Sequence, residues 1–320
     1  MELLELLADG QFHSGQHLGA QLGVSRAAVW KQINRLREKG AEIDVVHGRG
    51  YRLSTFPVRW SASAIRGHMS SAALVALQRI EIVQCVSSTN DVVMTWQRDK
   101  AGSGLCCIAE EQTHGRGRRG RDWLSPPGAC FYGTVGWTFE RGFGALEGLS
   151  LAIGVAVVRA LKRLGVQDVS LKWPNDIEIN GAKLGGVLIE AQAEAGGACH
   201  AAIGIGLNIS LPPDFAQKVG RPVADLSSYR ASGVSRDLLA ALLLDEILLL
   251  LQAYDASGFR LWQGEWMALD SLQGHQVVVT GMGDPVMGVA RGVDAGGALL
   301  IETPFGLNAV HAGEVSLRKA

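Results

Sequence analysis

Asn180-Gly181 stands between two short apolar runs, Ile177–Ile179 and Gly185–Ala191. Both residues of the pair tolerate positive φ, as a two-residue hairpin turn requires, so the runs are expected to pair antiparallel. A doubly wound parallel sheet needs a crossover between neighbouring strands and has no place for such a direct return. Further strands are expected at Ile80–Cys85, Leu105–Glu110, Ala129–Thr138, Val169–Trp173 and Ala201–Asn208, and helices at Asn90–Lys100, Ala145–Leu164 and Arg236–Tyr254. The pattern predicts an α+β protein whose central domain, residues 64–270, is a mixed α/β unit with mainly antiparallel strands.

Two smaller domains flank it. Residues 1–54 read as helices at Glu2–Ala8, His17–Leu22 and Ser25–Lys39, then a strand pair around Gly48-Arg49-Gly50. That order is a winged helix-turn-helix, with Gly23 in the tight turn and Ser25 as the N-cap of the third helix. Val29, Ile33 and Leu36 recur at helical spacing, so one face of the third helix packs inward. The same helix carries Arg26, Lys31, Arg35 and Arg37 with no acid between Ser25 and Arg37, and Arg49 lies on the wing. Ser25, Arg26, Lys31, Arg35 and Arg49 are therefore the candidate DNA contacts, although an ordinary solvated helix shows the same charges. Thr55–Ser63, with Pro57, reads as a linker. Residues 272–320 change to short strands with glycine-rich turns, Gln276–Thr280, Val286–Val293, Ala298–Glu302 and Ala309–Leu317, which suits a small SH3-like β-barrel.

A formal net charge of −1 excludes a globally basic nucleic-acid coat, so any polyanion contact must be local. Five cysteines without C-x-x-C spacing read as reduced thiols of a cytoplasmic protein. Glu2, Glu5 and Asp9 stand where a secretory signal would be basic. The apolar stretch Gly148–Val158 is too short for a bilayer, and Leu238–Leu251 is interrupted by Asp245 and Glu246, so no membrane association is expected.

Three features carry chemistry. Gly115-Arg116-Gly117-Arg118-Arg119-Gly120-Arg121 puts four arginines among three glycines, permanently charged forks on a backbone free to turn its N–H groups toward an anion. A solvated basic loop or a nucleic-acid contact is the competing reading. Its Gly115, Gly117 and Gly120 also match G-x-G-x-x-G, but Pro126-Pro127-Gly128 and a strand follow instead of a helix, so the dinucleotide reading fails. Lys172-Trp173-Pro174-Asn175-Asp176 precedes the hairpin and Lys183 follows it. Two ammonium groups there suit a transferring phosphate and Asp176 suits Mg²⁺ on a nucleotide, while a turn role alone also explains Asp176. Ser88-Thr89-Asn90 ends a strand and begins a helix, where capping is the bland role and hydrogen bonding to a small uncharged ligand, with Gln112, the sharper one.

Taken with Lys183–Leu188 and Gly204-Ile205-Gly206-Leu207-Asn208, these motifs resemble, in order, those of biotin protein ligases, and the N-terminal module extends the resemblance to the bifunctional ligase and biotin operon repressor form. The resemblance implies ATP, Mg²⁺ and biotin as reactants, a biotin carboxyl carrier protein of acetyl-CoA carboxylase as acceptor, operator DNA of biotin-synthesis genes as partner, and a ligand-promoted homodimer. It implies biotin contacts from Ser88, Thr89, Asn90, Gln112, Arg116, Gly117, Arg118 and Lys183. Adenylate contacts would come from Arg118, Arg121, Trp123, Lys172, Asn175, Asp176 and Asn208, with Lys183, Arg118 and Lys172 catalytic and Asp176 on the metal. A lipoate-type ligase and a regulator without ligase activity are the alternatives; Lys172, Asp176 and Lys183 argue against the second.

Overall fold

The computed structural model describes residues 3–7, 11–38, 41–55, 60–99, 102–193, 197–229, 235–281, 285–311 and 316–319. Glu2, Ala8, Asp9, Lys39, Pro57 and Lys100, which the sequence reading used, lie outside them. The chain divides into two compact units, residues 1–59 with 126–129, and residues 60–125 with 130–320.

The first unit holds α1 (Leu3–Leu7), α2 (Gly15–Leu22), α3 (Arg26–Glu38) and the antiparallel pair β1 (Glu42–Val46) and β2 (Gly50–Thr55). Ser14 caps α2 by accepting from His17 N at 3.1 Å, and Gly23 ends it at φ 67°. Leu3, Leu7, Leu18, Val29, Ile33, Ile43, Tyr51 and Leu53 form its core, with Leu36 packed at the edge. His13 exchanges backbone hydrogen bonds with Tyr51 at 2.8 and 2.9 Å, tying the start of α2 to the wing. A side chain on Gly50 would lie 2.1 Å from His13 O, so only glycine permits that approach.

The second unit is built on a seven-stranded sheet in the order β3, β4, β5, β9, β8, β7, β6. These strands are β3 (Arg79–Val86), β4 (Leu105–Gln112), β5 (Cys130–Phe139), β6 (Val169–Lys172), β7 (Asp176–Ile179), β8 (Ala182–Ala193) and β9 (Cys199–Asn208). Only β3 and β4 run parallel, as a mixed, mainly antiparallel sheet demands. Asn180 (φ 50°) and Gly181 (φ 75°) make the β7–β8 turn. One face carries the main core, formed with α7 (Leu149–Arg163) and the leucine-rich α9 (Arg236–Ser257). The other face takes α6 (Thr89–Arg98) through Val93, Met94 and Ala202. The adjacent Cys106 and Cys107 sit on opposite faces of β4 and join the two cores separately. Burial pushes the Cys107 thiol up to about 12.

Four helices lie outside the sequence expectations: α4 (Ala62–His68), α5 (Ser71–Ala76), α8 (Phe215–Val219) and α10 (Arg260–Leu269). The first begins inside the expected linker, because Ser61 caps it by accepting from Ala64 N. Asp245, buried within α9, accepts from Ser70 N at 3.0 Å and from the Ser70 hydroxyl at 3.2 Å, which explains a buried acid among the leucines of this helix. The turn Gly142–Leu146 runs into α7, so the stretch Gly142–Arg163 meets the length and hydropathy of a membrane span, contrary to the shorter expectation, and 67% of its most apolar 18 residues are buried inside the protein.

The C-terminal residues form a five-stranded antiparallel sheet ordered β13 (Gly306–Val310), β12 (Leu299–Thr303), β11 (Val286–Val293), β10 (Gln276–Thr280), β14 (Ser316–Lys319). The single strand expected at Ala309–Leu317 is thus two, on opposite edges of the sheet. This sheet is anchored to the larger one at β6: Ser271 N donates to Leu171 O at 2.8 Å, and the buried Trp173 indole donates to Gly297 O at 3.0 Å.

Candidate active site

The β4, β8 and β9 ends, the N-terminus of α6, the arginine-glycine loop and the segment around α8 enclose a cavity of about 820 Å³, within the size range of a small-molecule site. Its two ends differ in chemistry. Ser88, Thr89, Asn90 and Gln112 supply uncharged hydrogen-bonding groups at one end, beside Leu188 and Ile205. The loop's four arginines, Lys172, Lys183, Lys218 and Arg221 line the remainder against only Asp122 and Asp176. Such a lining fits a ligand that is neutral at one end and anionic at the other.

At the uncharged end Thr89, at the start of α6, donates through its N and Oγ1 to Gln112 Oε1 at 2.9 and 3.1 Å. The Thr134 hydroxyl of β5 lies 2.7 Å from both Thr89 Oγ1 and Asn90 Oδ1. Asn90 Nδ2 donates to Glu190 Oε2 at 2.7 Å. Ser88 is the N-cap residue, but its side chain makes no capping bond, so its buried hydroxyl is not used for the bland role. Gly204 and Gly206 of β9 are explained here by space. A side chain on Gly204 would meet Asn90 Oδ1 at 2.4 Å, and one on Gly206 would meet the Trp123 indole at 2.7 Å.

The loop returns on itself: Trp123 N donates to Gly115 O at 2.8 Å and Gly117 N to Arg121 O at 2.7 Å. Arg119 adopts φ 62° and Gly120 φ 65°, so the backbone turns left-handed at the tip. At its base Arg116 makes a bidentate pair with Asp91 (3.0 and 2.7 Å) and reaches Glu190 at 2.9 Å. Hydrogen bonding to Arg116 holds the Asp91 carboxyl below its usual range.

Around the hairpin, Lys183 Nζ lies 2.5 Å from Asp176 Oδ1 and 5.4 Å from the Trp123 ring centroid. Burial pulls Lys183 below the ordinary lysine value, with Asp176 opposing, and lowers Arg118 in the same way. Cations whose desolvation is only partly offset gain most from an anionic ligand. Lys172 Nζ is 3.5 Å from Glu178 Oε1.

A model of the biotin/lipoate A/B protein ligase family matches residues 82–208, a helix-turn-helix model residues 1–52, and a biotin protein ligase C-terminal domain model residues 274–318. The bifunctional ligase/repressor BirA of Escherichia coli is 36% identical over 327 aligned positions, covering 100% of this chain and 97% of that protein. BirA of Bacillus subtilis is 31% identical, covering 99% and 98%. The chain belongs to the biotin protein ligase family. The solved ligase of Aquifex aeolicus, in complex with biotin and ATP, superposes with a TM-score of 0.66 at 27% identity, over 76% of this chain and all of that one. The protein is thus a biotin protein ligase with an N-terminal helix-turn-helix domain.

The structure brings every sequence-selected residue for biotin and adenylate to this cavity, where several of them also bond to other residues of the protein. Arg116, expected to touch biotin, lines the cavity and pairs with Asp91 and Glu190 at the base of the loop. Asn175 Nδ2 donates to Val187 O at 2.8 Å, and Asn208 Nδ2 to Ala224 O at 2.9 Å, so both amides fasten backbone segments together. Thr134, Glu190 and Asp91 were missed, since nothing in their local sequence marks a partner so far along the chain, and Glu178 was missed although its partner Lys172 is on the adjacent strand. Phe215, Lys218 and Arg221 also line the cavity, from a stretch that shows no motif. In the first unit Ser25, Arg26, Lys31, Arg35 and Arg49 are all exposed. The Ser25 hydroxyl accepts from Ala28 N at 3.2 Å as a cap, and Arg49 stacks 4.3 Å from the Phe12 ring centroid.

Proposed function

We infer that this enzyme activates biotin with ATP as biotinyl-5′-AMP and transfers the biotinyl group to a lysine of a biotin carboxyl carrier protein of acetyl-CoA carboxylase. The observation that carries the reading is the two-ended cavity, neutral and hydrogen-bonding around Gln112 and Thr89, cationic around Arg118, Lys172 and Lys183. Biotin has that polarity, a neutral ring system at one end and a carboxylate at the other.

A carboxylate is a poor electrophile until its oxygen is bonded to a good leaving group. Attack of the biotin carboxylate on the α-phosphorus of ATP forms the C–O–P bond of the mixed anhydride and breaks the bond to pyrophosphate. Negative charge builds on phosphate oxygens in that step, and cations already in place stabilise it without reorganising. Lys183, with Arg118 and Lys172, fills this role, and Arg121 faces the phosphates. The carrier amine then attacks the acyl carbon and AMP leaves. Trp123, stacked on Gly206, and the loop shield the anhydride from water until then.

Magnesium fits as a companion of the nucleotide. Among the described residues no group of three or more His, Cys, Asp or Glu side chains is arranged to hold a metal, while Asp176 faces the phosphate end. One carboxylate plus phosphate oxygens is a usual magnesium environment, and the ion would neutralise phosphate charge there.

Residues 1–54 bind operator DNA of biotin-synthesis genes through Arg26, Lys31, Arg35 and Arg49, and the adenylate-loaded protein pairs as a dimer on two half-sites. Its setting is the cytoplasm, in keeping with free cysteines, four of them buried. Pyrophosphate release from ATP and Mg²⁺, measured with biotin and with lipoate, tests the chemistry. Release with biotin alone is expected; release with lipoate alone makes this a lipoate-type ligase, and none with either makes it a sensor.

A further inference from the structure

Among the described residues, which include all eight tryptophans of the chain, Trp30 is the one tryptophan left exposed, at 55%. It stands on α3, directly after Val29. Val29 and Ile33 are fully buried and Leu36 packs beside them, so the inward face of the helix is fixed and Trp30 lies roughly 100° round from Val29. Arg26 comes one turn before Trp30, Arg37 two turns after it and Lys31 next to it, all exposed. The indole is thus a flat apolar surface on a cationic helix, with no acid between Ser25 and Arg37. The start of that helix is closely packed. Ser25 Oγ caps it by accepting from Ala28 N at 3.2 Å. A side chain on Gly19 would lie 2.7 Å from Val24 O, and one on Gly15 would lie 3.1 Å from the Tyr51 ring, so α2 and the wing close tightly around the turn that leads into α3.

Trp30 belongs to the N-terminal half of α3, the half that recognition helices lay over base edges in the major groove. Cations there pair with phosphate oxygens or with the acceptors of guanine, and neither contact reads an apolar group. An indole offers one N–H donor, no acceptor and a broad apolar face. Base edges in the major groove are polar except for the C5-methyl group of thymine, which an indole covers without stripping water from an unmatched donor or acceptor. We propose that Trp30 is a specificity-determining residue of the helix-turn-helix domain, reading a thymine methyl in each operator half-site by apolar contact while the neighbouring cations hold the phosphates. The proposal rests on the operator reading above. It gives the domain a preference at a thymine position that charge alone does not supply.

The test is a binding titration of the full-length protein, with biotin, ATP and Mg²⁺, on the operator fragment mapped by footprinting upstream of the biotin-synthesis genes. Each thymine of a half-site is replaced in turn by uracil, which lacks only the methyl group. At one position the wild type should bind the uracil fragment about fourfold more weakly per half-site, the order for one buried apolar carbon. Trp30→Ala should weaken operator binding about tenfold or more, keep its affinity for unrelated DNA and its slope against salt, and bind the thymine and uracil fragments equally. Arg49→Ala, the contrast, should flatten the salt slope by about one and keep the thymine preference. Equal binding of every uracil fragment by the wild type overturns the proposal, and so does a Trp30→Ala variant that still prefers thymine at the same position. Weaker ligand-promoted dimerisation of Trp30→Ala without DNA, seen by sedimentation, also overturns it, because a second copy then covers the indole. If Trp30→Ala loses unrelated DNA as well, Trp30→Gln decides by the same comparison, and an equal loss on both DNAs there overturns the proposal. A wild type with no specific, salt-sensitive DNA binding takes away the operator reading itself, a result distinct from a specific binder indifferent to the methyl.

Discussion

Lys183 is where residue chemistry and function meet most closely. Its ammonium is buried beside Asp176 at 2.5 Å, and burial lowers its proton affinity while Asp176 raises it. The cation is therefore lost at a lower pH than on an ordinary lysine, and adenylation should decline on its alkaline side earlier than the free-lysine value implies. Asp176→Asn removes the opposing carboxylate, so that decline should move to still lower pH, in addition to a slower rate. Lys183→Ala should slow pyrophosphate release about a hundredfold or more, as loss of a transition-state donor does. Rate profiles across pH check both points; an alkaline limb at the same pH in Asp176→Asn contradicts the assignment. The sequence shows these residue types plainly, since lysines flanking a turn and arginines among glycines are local facts. It does not show who is paired with whom. Arg116 looks like its neighbours in the loop until Asp91, 25 positions back, and Glu190, 74 positions on, take up its guanidinium. Asn175 and Asn208 look like ligand groups, and the sequence does not show that their amides also tie strands to loops.

Among elements, those with a strong local signature were legible: the Asn180-Gly181 hairpin, the helix-turn-helix with Gly23 in its turn and Ser25 capping α3, and the long α9. Short α4 and α5 were not, since their helicity depends on serine caps and packing against α9. The junction between α10 and β10 was also hidden, and it contains a half-buried acid. Asp270 Oδ1 accepts from Leu272 N at 2.9 Å, while Oδ2 is buried without a hydrogen-bond partner. Burial raises this carboxyl from 3.8 to about 6. Because the folded value lies above the unfolded one, Asp270 contributes most below the unfolded value, and that contribution is lost as pH rises through about 6. At pH 8 the charged, desolvated form is a cost. Asp270→Asn should therefore raise unfolding stability by about 1–2 kcal/mol at pH 8, after allowance for partial exposure, and give no gain near pH 4. Denaturant titrations at both pH values decide it, and an equal change at the two excludes the carboxyl's charge as the cause.

At the scale of the whole molecule, the order of modules was readable because each changes the rhythm of the sequence: helices and a wing, then long strands with helices, then short strands with glycine turns. The shape of the cavity was not readable, since it is assembled from β4, β8, β9, α6, the arginine-glycine loop, residues 172–176 and the stretch containing Phe215, Lys218 and Arg221. Two partners follow from the account. Residues 1–54 should bind DNA upstream of the organism's own biotin-synthesis genes with an affinity that falls steeply with salt, and more tightly when biotin and ATP are present, if loading favours the dimer. Titrations with and without the two ligands read this out, and salt-insensitive or absent binding in both conditions leaves the first unit without an operator role. The central claim concerns the other partner. Incubated with ATP, Mg²⁺, biotin and the organism's biotin carboxyl carrier domain, the enzyme should add one biotinyl group to a single carrier lysine, seen by mass spectrometry, with no addition when ATP is omitted or Lys183 is alanine; an unmodified carrier in the complete reaction would contradict the account.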